Sequence, residues 1–197
     1  MEFAVSIHAF LDLGAQLHSP SLIPHPSSPI PHPPSLIPHP PIAIQPLMEP
    51  NLSAETDPLP ALERAVAERP DDAKALVALA NHYWLIGTGP EPVAELASRA
   101  IASDPDNRAA WHLWALAESD PRQRLARWQQ VTQRFPADLL AKANLADNAA
   151  SLAGAEHDYD AVDLAIATYK ELLSVSDQQD QREALKKAIT TLEGWHF

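Results

Sequence analysis

Three prolines, Pro70, Pro105 and Pro136, each stand five residues after a small or apolar residue: Ala65, Ala100 and Val131. Their spacings are 35 and 31 residues. A recurrence of about twenty to fifty residues marks a stacked repeat, in which one helical hairpin cannot bury its apolar face alone and relies on its neighbours. The chain is therefore expected to build a binding scaffold. The recurrence does not name the partner.

Composition divides the 197 residues in two. Fourteen of the 20 prolines fall within the first 60 residues, whereas all 14 Lys and Arg lie from Arg64 onward. Residues 1–56 are expected to form a disordered low-complexity segment, and residues 57–197 a helical repeat domain. Beyond residue 55 the chain carries 22 acids against 14 bases, a formal charge of −8. That balance argues against a nucleic-acid partner, whose phosphates need clustered Lys and Arg. Cysteine is absent, which excludes disulfides, thiolate catalysis and Cys-built zinc sites. Glu2, His8 and Asp12 interrupt the opening apolar run, unlike a secretory signal. No apolar stretch approaches the ~20 residues a membrane span requires. The expectation is a soluble, cytoplasmic protein.

Residues 21–41 repeat with a seven-residue period that places His18, His25, His32 and His39 seven apart. A seven-nucleotide DNA unit returns to frame after three copies, and three copies of TCCCTCA translate as the peptide at 21–27. Pro29, where the other copies have Leu22 and Leu36, follows from a single change of CTC to CCC. One reading is a translated intergenic repeat, with synthesis starting at Met48. The other is a disordered linker of polyproline character. A metal-binding histidine tract fits less well, because seven residues of extended chain separate the imidazoles by about 20 Å.

From Asp57 the texture becomes Ala- and Leu-rich with helical period. Helices are expected over 58–69, 72–86, 91–103, 108–119, 121–135, 138–152, 161–174 and from about 179 to 195. Asp57 and Asp120 read as N-caps, with Pro58 and Pro121 at first helical positions. Gly154 is expected to break the sixth helix, leaving an inserted loop over 155–160. Ser176 with Gln179 suggests a capping box for the last helix. That helix has an apolar side (Leu185, Ala188, Ile189, Leu192, Trp195) and a solvated side with Lys186 and Lys187, as a terminal cap requires.

These positions resemble the tetratricopeptide repeat (TPR) family, with its ~34-residue unit. The first unit matches at Leu76, Leu79, Ala80, Tyr83, Val93, Ala97, Ala100 and Pro105. The second matches at Trp111, Trp114, Ala115, Arg124, Trp128, Val131 and Pro136. The third has Lys142, Leu145, Ala146, Ala149, Ala165, Tyr169 and Leu172. The units are degenerate: Ala replaces the usual Gly, and Glu118 a Tyr. The resemblance implies an all-α fold, a right-handed stack of antiparallel helix pairs in a TPR-like α-solenoid. It also implies a protein-binding concave face lined by the first helix of each pair. By position that face holds Lys74, Val77, Asn81 and Trp84, then Ala109, His112 and Leu116, then Leu140, Ala143 and Asp147. Some members of the family grip a C-terminal carboxylate with Lys and Asn from successive repeats. Of that clamp only Asn81 is present, so the resemblance implies a mixed apolar groove instead.

Trp111, Trp114 and Trp128 fall on inward faces and are expected in the core. His82 and His112 have no carboxylate at a metal-motif spacing, and the acidic stretch 156–160 lacks the ligand spacing of a calcium loop. Phosphate loops, nucleophile elbows and metal-helix motifs are absent. The expected function is a non-catalytic interaction scaffold for a peptide or protein segment, without metal or cofactor. The alternatives are a non-catalytic subunit or assembly factor of an enzyme complex, and a structural homo-oligomer.

Overall fold

A computed structural model describes residues 57–196. The proline- and histidine-rich segment, its four histidines and the Met48 start lie outside the described residues. Within them the chain forms eight α-helices and no strand: α1 Leu59–Glu68, α2 Ala73–Ile86, α3 Pro90–Ser103, α4 Arg108–Leu116, α5 Pro121–Arg134, α6 Leu139–Glu156, α7 Tyr159–Val175 and α8 Gln179–Glu193. Each helix packs on the next, and α2 also touches α4. Short connections make successive helices antiparallel neighbours.

The three spaced prolines occupy one turn, used three times. A residue before proline is pushed out of the helical region, and Arg69, Asp104 and Phe135 accordingly have φ of −136°, −141° and −126°. Their N–H groups donate to the carbonyls of Ala65, Ala100 and Val131 at 3.1, 2.9 and 2.8 Å. Three residues on, the N–H groups of Asp72, Asn107 and Asp138 donate back to Arg69, Asp104 and Phe135 at 3.1, 3.1 and 3.0 Å. Those same residues then cap the next helix. Asp72 Oδ1 accepts from Lys74 N, Asn107 Oδ1 from Ala110 N and Asp138 Oδ1 from Leu140 N. Each turn thus stops a second helix and starts a first helix, which satisfies amides that a helix end would otherwise leave orphaned.

The core falls into two adjoining clusters. One lies between α2, α3 and α4 around Leu76, Leu79, Val93, Leu96 and Leu113, with α1 adding Leu59, Leu62 and Val66 from its rim. The other runs from α4 to α8 around Trp128, Val131, Leu145, Leu152, Leu172 and Ile189. Small residues, among them Ala97, Ala100, Ala146, Ala149 and Ala165, are wholly buried. They let helix axes approach closely.

Three expectations are corrected, and one departure from the family pattern is explained. First, α4 ends at Leu116, three residues early. Its side toward the core is Ala110, Leu113 and Ala115, while Trp111 and Trp114 are half-buried. Trp111 Nε1 donates to Pro105 O at 2.9 Å, and its ring stands edge-on to Trp114 and Phe135 at 5.5 and 6.5 Å. Second, the tight turn after α4 is held from α5. The Arg127 guanidinium lies 4.5 Å over the Trp114 ring, donates to Trp114 O at 2.7 Å and pairs with Glu118 at 2.6 Å. Glu118, unexpected at a tyrosine position, thus has a local partner.

Third, α6 runs through Gly154 and stops only at His157, which takes a left-handed φ of 55°. A side chain on Gly154 would meet the Trp195 ring at 3.2 Å. The glycine makes room for that ring, although it weakens the helix by about 1 kcal/mol relative to alanine. The expected loop is therefore helix end and helix start, with Asp158 capping α7 through Ala161 N at 3.1 Å. Fourth, no capping box forms before α8, whose N-cap position is Gln178. Ser176 Oγ instead donates to Gln181 at 2.8 Å, and Arg182 covers the carbonyls of Leu173 and Ser176.

Candidate interaction face

Helix α2 contributes Lys74, Val77, Asn81 and Trp84. Lys74 and Asn81 are exposed, Val77 is half-buried and Trp84 is 42% exposed. Helix α4, which adjoins α2, contributes exposed Ala109 and half-buried His112 and Leu116. In α6, Leu140 and Asp147 are half-buried, and Ala143 lies in the core at 5% exposure. The surface offered by these positions thus shrinks along the chain, from open on α2 to largely closed on α6.

Two of these residues are engaged inside the protein. His112 Nε2 lies 2.8 Å from Asp138 Oδ2, and its ring stands edge-on to Trp128 at 5.3 Å. Asp138 is only 7% exposed, and Arg108 Nε approaches the same Oδ2 at 3.6 Å. His112 therefore joins α4 to the cap of α6, a role its spacing gave no sign of. Asp138 was legible only as a helix start.

Asp147 accepts a 2.6 Å hydrogen bond from the Tyr169 hydroxyl on α7. Burial pushes its carboxyl above the usual range, partly countered by the tyrosine donor. The Tyr169 hydroxyl is itself pushed up by burial and by the nearby carboxylate. A carboxyl raised in the folded state favours folding below its ordinary pKa, and that contribution is lost as pH rises through the raised value. Ionisation of Asp147 as the pH rises therefore weakens the fold. Asp147→Asn keeps an oxygen for Tyr169 and removes the charge, so it should melt higher than the parent at pH 7. The gain should shrink toward pH 3. An equal difference at both pH values would contradict this.

Beside the face, α5 distributes its arginines. Arg124 Nε donates to Asn148 Oδ1 at 2.7 Å and Arg124 Nη1 to Glu118 O at 3.0 Å. Arg122 bridges Glu156 and Asp158, and Arg134 pairs with Asp106. Arg122 also borders a shallow depression of about 370 Å³ with Leu125, Gln129, Leu152, Asp158 and Leu164, outside the expected face. Among the described residues no group of three or more His, Asp or Glu side chains is placed to hold a metal ion. No helix among them is long and apolar enough to cross a membrane.

No protein-family model matches the chain, and no curated protein matches it. Among solved structures, the thermophilic TPR protein TTC0263 of Thermus thermophilus is similar. Its TM-score is 0.52 at 22% identity, covering 68% of this chain and 72% of that one. MamA has a TM-score of 0.47 at 14% identity, covering 68% of this chain and 84% of its own. The likeness to TTC0263 concerns the fold. Taken with the thrice-repeated turn and the all-helical stack, it shows that the chain folds as a TPR-type repeat protein.

Proposed function

We propose that the chain is a non-catalytic interaction scaffold, acting in the cytoplasm, that takes a peptide or protein segment along the face of its first helices. The observation that carries this reading is the character of α2 and α4. Residues 56–197 have a formal charge of −8, yet neither helix contains an Asp or Glu. Val77, Asn81, Trp84, Ala109 and Leu116 are left at least partly open. A stretch of that face on α2 and α4 kept free of acids on an acidic protein suits a segment of mixed apolar and polar character, bound by desolvation and a few hydrogen bonds. The α2 end, where exposure is greatest, is the centre of this site.

The test is recovery of partners from lysate. Asn81→Glu with Ala109→Glu places two like charges on the open face without touching the core. Recovery should fall at least about tenfold, equivalent to ~1.4 kcal/mol, while Lys186→Glu on the outer side of α8 should leave it unchanged. Equal recovery by the double variant and the parent would refute the site. His112 is a poor probe, because its substitution also strips Asp138 of a partner.

A further inference from the structure

We propose that the depression beside Arg122 is a second docking site, which takes a Lys or Arg side chain from an amphipathic segment of a partner protein. It is bounded by α5, the end of α6 and the start of α7, and has a volume of about 370 Å³, within the ~300–1,000 Å³ usual for ligand pockets. Much of its wall is apolar: Leu125 and Ala126 from α5, Leu152 from α6 and Leu164 from α7. Leu125 and Leu152 belong to the core, whereas Ala126 is exposed.

Charge selects the occupant. The one base in the lining, Arg122, is already held by Glu156 and, at 3.4 Å, by Asp158. A guanidinium so placed between two carboxylates offers little to an anion. Asp158 also caps α7. Asp160, which lines the depression from the first turn of α7, is exposed and enters no hydrogen bond or ion pair among the described residues. Around the depression one base thus stands against three acids, Glu156, Asp158 and Asp160, a surplus of two negative charges. A negative mouth over an apolar wall suits a side chain that is apolar along its stem and cationic at its tip. Gln129 is half-buried in the same lining, and its side-chain amide has no partner among the described residues. Its oxygen supplies a neutral acceptor for the same cation. Because the depression is shallow, it holds the stem and leaves the segment that carries it lying across α5 and α7, where open Ala126 meets a flanking apolar residue. The site shares no residue with the face on α2 and α4, so the two stand or fall separately.

The probe is a short capped peptide of alternating leucine and lysine, titrated into the full ¹⁵N-labelled chain at about 0.15 M salt, which screens diffuse attraction between exposed charges. Amide shifts should concentrate in residues 122–129 and 158–164. Asp160→Asn should weaken binding about two- to fivefold, as for one exposed charge pair. Ala126→Arg, which fills the depression with a like charge, should weaken it at least about tenfold, while Glu95→Gln on α3 should leave it unchanged. None of these side chains belongs to the buried core, so all three variants should keep the parent's helical circular dichroism. Amides that do not move overturn the proposal. Shifts spread over the acidic surface and insensitive to Asp160 and Ala126 also overturn it, because the attraction is then general. Spermidine binding the depression as tightly as the peptide does so too, since the site then takes a free polyamine.

Discussion

Trp128→Ala is expected to destabilise the protein by about 3–5 kcal/mol, lowering the melting temperature by roughly 10 °C or more. Trp128 is the largest wholly buried side chain, at 0% exposure, within the cluster that joins α4 to α8. Its removal opens a cavity at the middle of the stack, where neighbours from α5 and α6 are held by caps and arginine contacts and collapse only in part. The indole N–H has no hydrogen-bond partner among the described residues. Trp128→Phe removes that orphan donor along with some volume, so it should cost clearly less than alanine. Calorimetry or urea melts of both variants check the pair. An alanine variant that melts within a degree or two of the parent would remove Trp128 from the core.

The second large effect is at Asp138. One carboxylate oxygen caps α6 by accepting from Leu140 and Ala141, and the other is bonded to His112 and faces Arg108. Loss of a cap costs about 0.5–2 kcal/mol, and a half-buried imidazole left without its partner adds about 1–3 kcal/mol. Asp138→Ala should therefore cost roughly 2–4 kcal/mol. Asp138→Asn, which still caps, should cost less. If His112 and Asp138 act as a pair, His112→Ala with Asp138→Ala should cost less than the sum of the single variants in a double-mutant cycle. Strict additivity would mean that the bond contributes nothing across this junction.

The turn was legible in the sequence because its determinants are local. Proline removes the helical option from the residue before it, and an acid or amide two residues later caps the next helix, so Pro70-Asp71-Asp72 states its own structure. Trp128 and Val131 were legible for the same reason, standing on one stripe of a helix with clear period. The misread parts depend on contacts remote in sequence. Gly154 looked like a helix breaker because nothing near it announces Trp195, 41 residues later. Trp111 and Trp114 do pack against the core clusters, as their apolar bulk suggests, but they stay half-buried, and their pairing with Phe135 and Arg127 is not visible in the sequence. His112 and Asp147 were placed on the face by helix register alone, and their bonds to Asp138 and Tyr169 appear only once residues 26 and 22 positions apart are brought together.

The central claim, that the open face of α2 and α4 receives a partner segment, is tested most directly by a hydrogen-exchange footprint of the full chain with a captured partner bound. Protection should concentrate in residues 74–86 and 109–116 and leave α7 unchanged. Protection confined to α3, α7 or the depression beside Arg122 would contradict it.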